Sequence, residues 1–206
     1  MKVFRIEKRL NNAELGKGNV HETYVRIPNG SDAYSIFENV GEKYIFIDEH
    51  TGDSYEFRYT MGREQRIVGL GDYYREKNLE AGDKIILEKI VYGAEIIYCV
   101  DTFKQPDVIV VQKGSKGFEI LTKRLSNAGT KVDNSIVELK FLASEKKRSD
   151  SPEKTNFYDI LINGKSLLND KTLSSKDLVE IIPGRENAKV NKIVTYTQIK
   201  INAEER

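Results

Sequence analysis

Lys43-Tyr-Ile-Phe-Ile47, His50-Thr-Gly-Asp53 and Ser54-Tyr-Glu-Phe-Arg-Tyr59 make up the stretch on which the fold turns. Both flanks carry apolar side chains at the period of two that places one face of a strand inward. Between them, Gly52 supplies the positive φ that a tight turn demands, so residues 43–59 read as a β-hairpin. The same periodicity recurs in Thr23-Tyr-Val-Arg-Ile27 and Lys84-Ile-Ile-Leu-Glu88, and Met61-Gly-Arg-Glu-Gln65 is a second turn leading into Arg66-Ile-Val68. Several short strands predict a barrel or a sandwich. Two helical segments interrupt them. Ser31 or Asp32 caps one that runs to about Asn39, with Gly41 as its left-handed stop, and Asp72 caps another across Tyr73–Lys77. Helices of two turns are not stable alone, so each is expected to plug an open end of the strand assembly with Ile36 and Phe37, or with Tyr73 and Tyr74. Leu79-Glu-Ala-Gly-Asp-Lys84 reads as a tight turn around Gly82.

The 206 residues suffice for one ordinary domain or two small ones. With 39% hydrophobic and 32% charged residues and a net charge of +1, the composition is that of a soluble globular protein. It excludes a polyanion mimic and a uniformly basic coat protein. No apolar run approaches the roughly 20 residues that cross a bilayer, and Met1–Leu10 is charged throughout without a signal-peptide core, so the expected location is the cytoplasm, away from membranes. Cys99 lies in an apolar run and reads as a structural thiol. With His21 and His50 as the only histidines, a Cys/His zinc site cannot be assembled.

Asp53-Ser-Tyr-Glu-Phe-Arg-Tyr-Thr60, the turn 61–65 and Tyr73-Tyr-Arg-Glu-Lys-Asn-Leu-Glu-Ala-Gly-Asp83 together resemble the plant B3-type DNA-binding domain, whose strand, polar arm, short helix and Ala-Gly-Asp turn follow in this order. Upstream, Leu15-Gly-Lys-Gly-Asn-Val-His-Glu-Thr-Tyr-Val-Arg-Ile-Pro28 resembles the bacterial branch of that pseudobarrel fold, found as the recognition domain of restriction endonucleases. The resemblance covers residues 1–104. It implies a mainly β chain whose N-terminal part is a B3-like open β-barrel, or pseudobarrel, with two short helices. It also implies binding of double-stranded DNA by two arms that enter the major groove. Carried over by position, the first arm is Lys17, Gly18, Asn19, His21, Glu22 and Thr23, and the second is Met61, Gly62, Arg63, Glu64, Gln65 and Arg66.

The chemistry of those residues suits the task. Arg63 or Arg66 can donate a bidentate pair to guanine, Gln65 or Asn19 can pair with adenine, and Glu22 or Glu64 can accept from the cytosine amino group. Lys17 and Arg26 suit phosphates, which set register without reading sequence. The same residues also describe an ordinary solvated loop. Where the plant arms carry an aromatic and small polar residues, positions 62–65 are Gly-Arg-Glu-Gln, so the recognised sequence is expected to differ. Residues 1–104 hold 15 basic and 18 acidic side chains, a net of −3, against 18 and 14 in the remainder. A DNA-binding surface then requires the basic groups to be segregated onto one face.

From Gln105 the texture changes to strand-like runs at 107–111, 118–121, 135–141, 157–162 and 192–199, with a polar segment at 144–154 that reads as an exposed mobile loop. Ser174-Ser-Lys-Asp-Leu-Val-Glu180 reads as a capped helical turn, so residues 105–206 are expected to form a small α+β accessory domain. Asp107, Glu138 and Lys140 match the pattern of a metal-dependent nuclease, in which two carboxylates hold Mg²⁺ and a lysine helps activate water. Glu138 and Lys140 alternating with Val137 and Leu139 equally describe the solvated side of a strand. Gly164-Lys-Ser166 lacks the upstream glycine of a phosphate-binding loop, since Asp159 stands there.

The leading expectation is a sequence-specific DNA-recognition module of a bacterial restriction-modification system. It would need no cofactor for binding, and would be part of a larger enzyme or act with a nuclease or an NTP-driven motor. A self-contained Mg²⁺-dependent endonuclease using Asp107, Glu138 and Lys140 is the alternative. A protein-binding barrel is a third reading.

Overall fold

The computed structural model describes residues 1–17, 21–28, 33–105, 107–122, 137–146, 154–184, 186–193 and, for the backbone alone, 202–205. The chain divides into two compact units, Met1–Lys104 with Thr195–Arg206, and Gln105–Val194. In the first, β1 (Lys2–Arg9) and β2 (Tyr24–Ile27) precede a 3-10 turn at Ala33–Ser35. Then come β3 (Lys43–Asp48), β4 (Ser54–Met61), β5 (Gln65–Val68), α1 (Gly71–Glu76), β6 (Lys84–Tyr92) and β7 (Glu95–Phe103). The sheet order is β1-β6-β7-β3-β4-β5-β2, with the C-terminal strand Asn202–Glu205 paired outside β1. β3 runs parallel to β7 and the other pairings are antiparallel.

The hairpin at 43–59 is present, with Tyr44 opposite Phe57 and Phe46 opposite Tyr55. Its turn is held by Asp48, whose Oδ1 accepts from the amides of His50 (3.0 Å) and Thr51 (2.8 Å). Gly52 has φ +76° there. Alternation drives the inward faces together. Phe37, Phe46, Phe57, Tyr59 and Tyr73 are fully buried, and their rings pack edge-on or offset at centroid separations such as 5.0 Å for Phe46–Phe57 and 5.4 Å for Phe37–Tyr59. The sheet curls into a nearly closed barrel. The gap between β1 and β2 is bridged by Lys8, whose ammonium donates to the Arg26 carbonyl at 3.2 Å.

Ile36, Phe37, Tyr73 and Tyr74 plug the barrel as expected, all buried. The helices carrying them differ from expectation. A helix reaching Asn39 does not form among the described residues. The Asn39 amide donates instead to the Tyr44 hydroxyl (2.8 Å) and the Gly41 amide to the Tyr59 carbonyl (2.7 Å), so the strands claim the backbone that a longer helix would use. The expected caps Ser31 and Asp32 lie outside the described residues. α1 starts at Gly71 with Leu70 as its cap residue and no side-chain cap bond. Asp72 pairs with Arg75 one turn on.

The second unit contains β8 (Ile109–Lys113), β9 (Phe118–Ile120), β10 (Val137–Lys146), β11 (Lys154–Ile162) and β12 (Lys165–Ser166). A 3-10 turn at Leu167–Asn169 leads on to β13 (Leu178–Pro183) and β14 (Ala188–Ile193). The sheet order is β10-β11-β9-β8-β13-β14, with β12 on β11. Ile109, Val111, Phe118, Ile160, Val179 and Ile181 form its core. The expected α+β character is not borne out among the unit's described residues, which are strands and turns. Ser174–Glu180 illustrates why. The Ser174 amide donates to Asp177 Oδ2 (2.7 Å), a bond that closes a turn as readily as it caps a helix. Lys176 takes φ +73°, and Val179 and Ile181 then alternate inward along β13. Strand pairing of β10 and β11 extends to Lys146 opposite Lys154, so residues 147–153 of the expected loop lie outside the described residues. The same holds for 194–200, the end of the last expected strand.

The nuclease constellation is also corrected. Asp107 precedes β8, whereas Glu138 and Lys140 stand on β10, with β9 and β11 between them. Three inter-strand spacings amount to roughly 14 Å along the sheet, whereas one Mg²⁺ holds its oxygen ligands at about 2 Å. Glu138 and Lys140 are exposed. Alternation on a half-buried strand accounts for them. Among the described residues no helix is long and apolar enough to cross a membrane.

Candidate nucleic-acid interface

Pairing of β2 with β5 places Arg26 opposite Arg66 and Tyr24 opposite Val68, and pairing of β5 with β4 continues the rows to Thr60 and Arg58. Since Val25, Ile67, Phe57 and Tyr59 point inward, the outward face of these strands presents Arg26, Arg66, Thr60, Tyr24 and Arg58. The segment leading into β2 is the first arm and the β4–β5 turn is the second. The first arm joins this strand pair at its Tyr24–Val68 end and the second at its Ile27–Gln65 end.

The arms are tied together by an alternating network of charge. Arg66 Nη1 meets Glu22 Oε2 at 3.0 Å, while its Nε and Nη2 donate to Glu64 Oε2 at 3.2 and 3.0 Å. The other oxygen of Glu64 takes Arg26 Nη2 at 2.9 Å. The Arg66 guanidinium also lies over the Tyr24 ring, 4.3 Å from its centroid. Arg66 is partly desolvated, which disfavours its charge, but the Glu64 hydrogen bonds outweigh this and hold it more firmly protonated than usual. Neutralised by Glu22 and Glu64, Arg66 and Arg26 are not bare cations.

Beneath this network lies a buried ion pair. Lys8 Nζ is 3.0 Å from Glu14 Oε1, with the two side chains 2% and 0% exposed. Glu14 also accepts from the Arg26 amide (2.9 Å) and the Asn11 amide (3.2 Å), and its carbonyl accepts from the Tyr24 amide (3.0 Å). Glu14 thus pins the base of the first arm to β2. Burial pushes its carboxyl above the usual range, against the pull of Lys8.

The remaining arm residues have diverse placements. Gly18 and Asn19 lie outside the described residues. Lys17 donates to the Leu79 carbonyl at 2.9 Å, so its ammonium braces the arm against the turn that follows α1 rather than standing open for a phosphate. Gly16 takes φ +69°, and a Cβ there would lie 2.8 Å from the His21 carbonyl oxygen, so the arm folds back on itself at that point. His21 and Glu22 are exposed; Thr23 is half-buried, with its side chain beside Gly71.

The second arm is short. Gly62, Arg63 and Glu64 form the turn, with the Gly62 amide bonded to the Glu64 carbonyl at 3.2 Å, and Met61 stands opposite Gln65. Met61, Gly62 and Arg63 are exposed, and no ion pair engages Arg63 among the described residues. The Gln65 side-chain oxygen is buried without a hydrogen-bond partner among the described residues.

Two basic residues at this face went unread in the sequence. Arg58 follows from the hairpin itself, since its neighbours Phe57 and Tyr59 point inward. Arg75 comes near through α1, and only the packing of Gly71 on Thr23 reveals it. Arg26, Arg58, Arg63, Arg66 and Arg75 thus lie near the arms together with Glu22, Glu64 and Asp72, so the expected segregation of basic groups is offset by carboxylates paired to three of the five.

No family model and no curated protein matches the chain. Among solved structures, the chain is similar to the Arabidopsis FUS3–DNA complex at 18% identity, over 49% of this chain and 97% of that one, with a TM-score of 0.39. It is also similar to the N-terminal domain of Helicobacter pylori LlaJI.R1 at 15% identity, over 65% and 93%, with a TM-score of 0.34. The first is a plant B3 domain and the second comes from a bacterial restriction protein.

Proposed function

We propose that residues 1–104 bind double-stranded DNA with sequence preference, gripping it between the 17–23 arm and the 61–66 turn and reading base edges in the major groove. The observation that carries this reading is the Glu22–Arg66–Glu64–Arg26 network, which ties Glu22 of the first arm to Arg66 beside the second. Arg63, at the tip of the second arm, is the residue for a bidentate contact to guanine. In this reading Arg58 takes a phosphate, and Arg75 and Arg26 join it once released from Asp72 and Glu64. The major groove is about 12 Å wide, enough for a three-residue turn to enter edge-on. The bacterial setting belongs to the proposal too: a recognition module of a restriction-modification system, with cleavage or translocation supplied by a nuclease or motor partner.

Selection of bound duplexes from a random pool, at two salt concentrations, tests it. Wild type is expected to enrich a motif, and Arg63→Ala to lose preference at one position at a cost of about 1–3 kcal/mol while keeping its thermal stability. Absence of enrichment at low salt refutes the proposal in favour of a barrel that never meets nucleic acid.

A further inference from the structure

We infer that Glu64 is an electrostatic gate: it withholds Arg26 and Arg66 from phosphates until a duplex offers its carboxylate a base amino group in exchange. The inference rests on the DNA-binding reading and adds to it a residue that rejects wrong sequences.

Both oxygens of Glu64 are committed in the free protein, Oε1 to Arg26 at 2.9 Å and Oε2 to two nitrogens of Arg66 at 3.0 and 3.2 Å. The side chains are 28%, 36% and 32% exposed, which leaves them within reach of a ligand yet partly shielded from competing water and salt. With Glu22 on the far side of Arg66, two guanidinium groups face two carboxylates and the cluster is neutral. A neutral cluster releases few counterions, so it contributes little to sequence-independent affinity.

For a phosphate to take Arg26 or Arg66, Glu64 must give up those bonds beside a second anion. An unpaired carboxylate there is repelled and poorly solvated, which penalises every duplex alike. A donor placed opposite the second arm removes the penalty. In the major groove such donors are the exocyclic amino groups of cytosine and adenine. Glu64 therefore sharpens preference by weakening binding wherever that donor is missing.

Glu64→Gln retains shape and an acceptor oxygen but drops the charge. Its affinity for a scrambled duplex is expected to rise about tenfold at low salt. The slope of log affinity against log salt should steepen by about one to two, as each newly neutralised phosphate adds roughly 0.9. Preference for the selected duplex over the scrambled one should fall. Glu22→Gln, which removes one of the two carboxylates on Arg66 and leaves its bonds to Glu64, is expected to show a smaller rise of the same kind, and it keeps the test open should the Glu64 variant fold poorly. Glu95→Gln, at the exposed β6–β7 turn, makes the same change in net charge away from the arms and should leave the slope unchanged.

The gate is overturned if Glu64→Gln and Glu22→Gln bind the scrambled duplex no better than Glu95→Gln does, or if they bind both duplexes more weakly. Either result, with wild type still selecting a motif, removes the gate and leaves the DNA-binding reading standing. Wild type and all variants failing to bind any duplex at low salt removes both.

Discussion

Replacing Lys8 with Met tests whether the buried pair beneath the first arm holds it in place. The substitution preserves length and apolar stem but deletes the ammonium that sits 3.0 Å from Glu14 Oε1 and 3.2 Å from the Arg26 carbonyl. With both side chains almost fully enclosed, removing one partner leaves an uncompensated charge in the interior, at a cost of about 3–5 kcal/mol. The pH dependence gives the test its edge. Glu14 is already pushed above its unfolded value of about 4.3 by burial, with Lys8 the largest opposing influence. A carboxyl raised in the folded state contributes its full share of stability below the unfolded pKa and loses it as pH rises through the folded one. Deleting Lys8 raises the folded value further, so the deficit relative to wild type opens above the wild-type folded pKa of Glu14 and grows toward about 1.4 kcal/mol per pH unit until Glu14 of the variant ionises. Urea unfolding at pH 5 and pH 8 should therefore show a larger deficit at the second, approaching about 3–5 kcal/mol. Adding Glu14→Gln, which can still accept from the Arg26 amide, should recover a substantial part at pH 8. An equal loss at both pH values, unrelieved by the second substitution, would refute a charge-based account.

Two further perturbations probe the scaffold. Asp48 is enclosed, a burden that would raise its pKa, yet the Lys77 ammonium at 2.9 Å and the amides of Thr51 and His50 pull it down to about 2. Its stabilisation is therefore full above about pH 4 and drains as pH falls toward 2. Asp48→Asn should remove on the order of 2 kcal/mol at neutral pH and flatten the acid limb of a melting-temperature profile between pH 4 and 2. Gly69 ends β5 at φ +92°, with space for a Cβ closed by the Glu56 carbonyl oxygen at 2.8 Å. Gly69→Ala should cost about 1–3 kcal/mol by thermal or urea unfolding, because backbone rather than a flexible side chain must yield.

The hairpin at 43–59 was legible because strand-forming residues on both sides, a turn glycine and aromatic residues at every second position coincide there, although Ile45 and Ile47 are apolar and yet exposed. Where the signals conflict, local chemistry misleads. Ser174 and Asp177 make the same side-chain bond whether the chain continues as a helix or turns into a strand. The choice falls to Val179 and Ile181, whose place in the core only the folded sheet supplies. Near Asn39 the helix signal was sound locally, yet Tyr44 and Tyr59 took the backbone partners. Asp107, Glu138 and Lys140 failed as a site for a topological reason, since adjacency along a sequence motif says nothing of strand order.

The same limit explains the candidate interface. That Arg26 and Arg66 are row partners follows from the β2–β5 register, which no local pattern encodes across forty residues of chain. Once the register is set, the consequences run outward from the core. Lys8 fixes Glu14, Glu14 fixes the Arg26 backbone, Arg26 and Arg66 share Glu64, and Arg66 reaches Glu22 on the other arm. Exposure rises along this chain from the enclosed Lys8–Glu14 pair, through Arg26, Glu64 and Arg66 at about a third, to Glu22 at 49%. A site that must discriminate among ligands benefits from that gradient, because a rigid base holds geometry while an exposed tip with replaceable partners can exchange one set of bonds for another. Rigidity at Glu14 and exchange at Glu64 are thus separable properties. Loss of the first should weaken the fold and loss of the second should broaden what it binds.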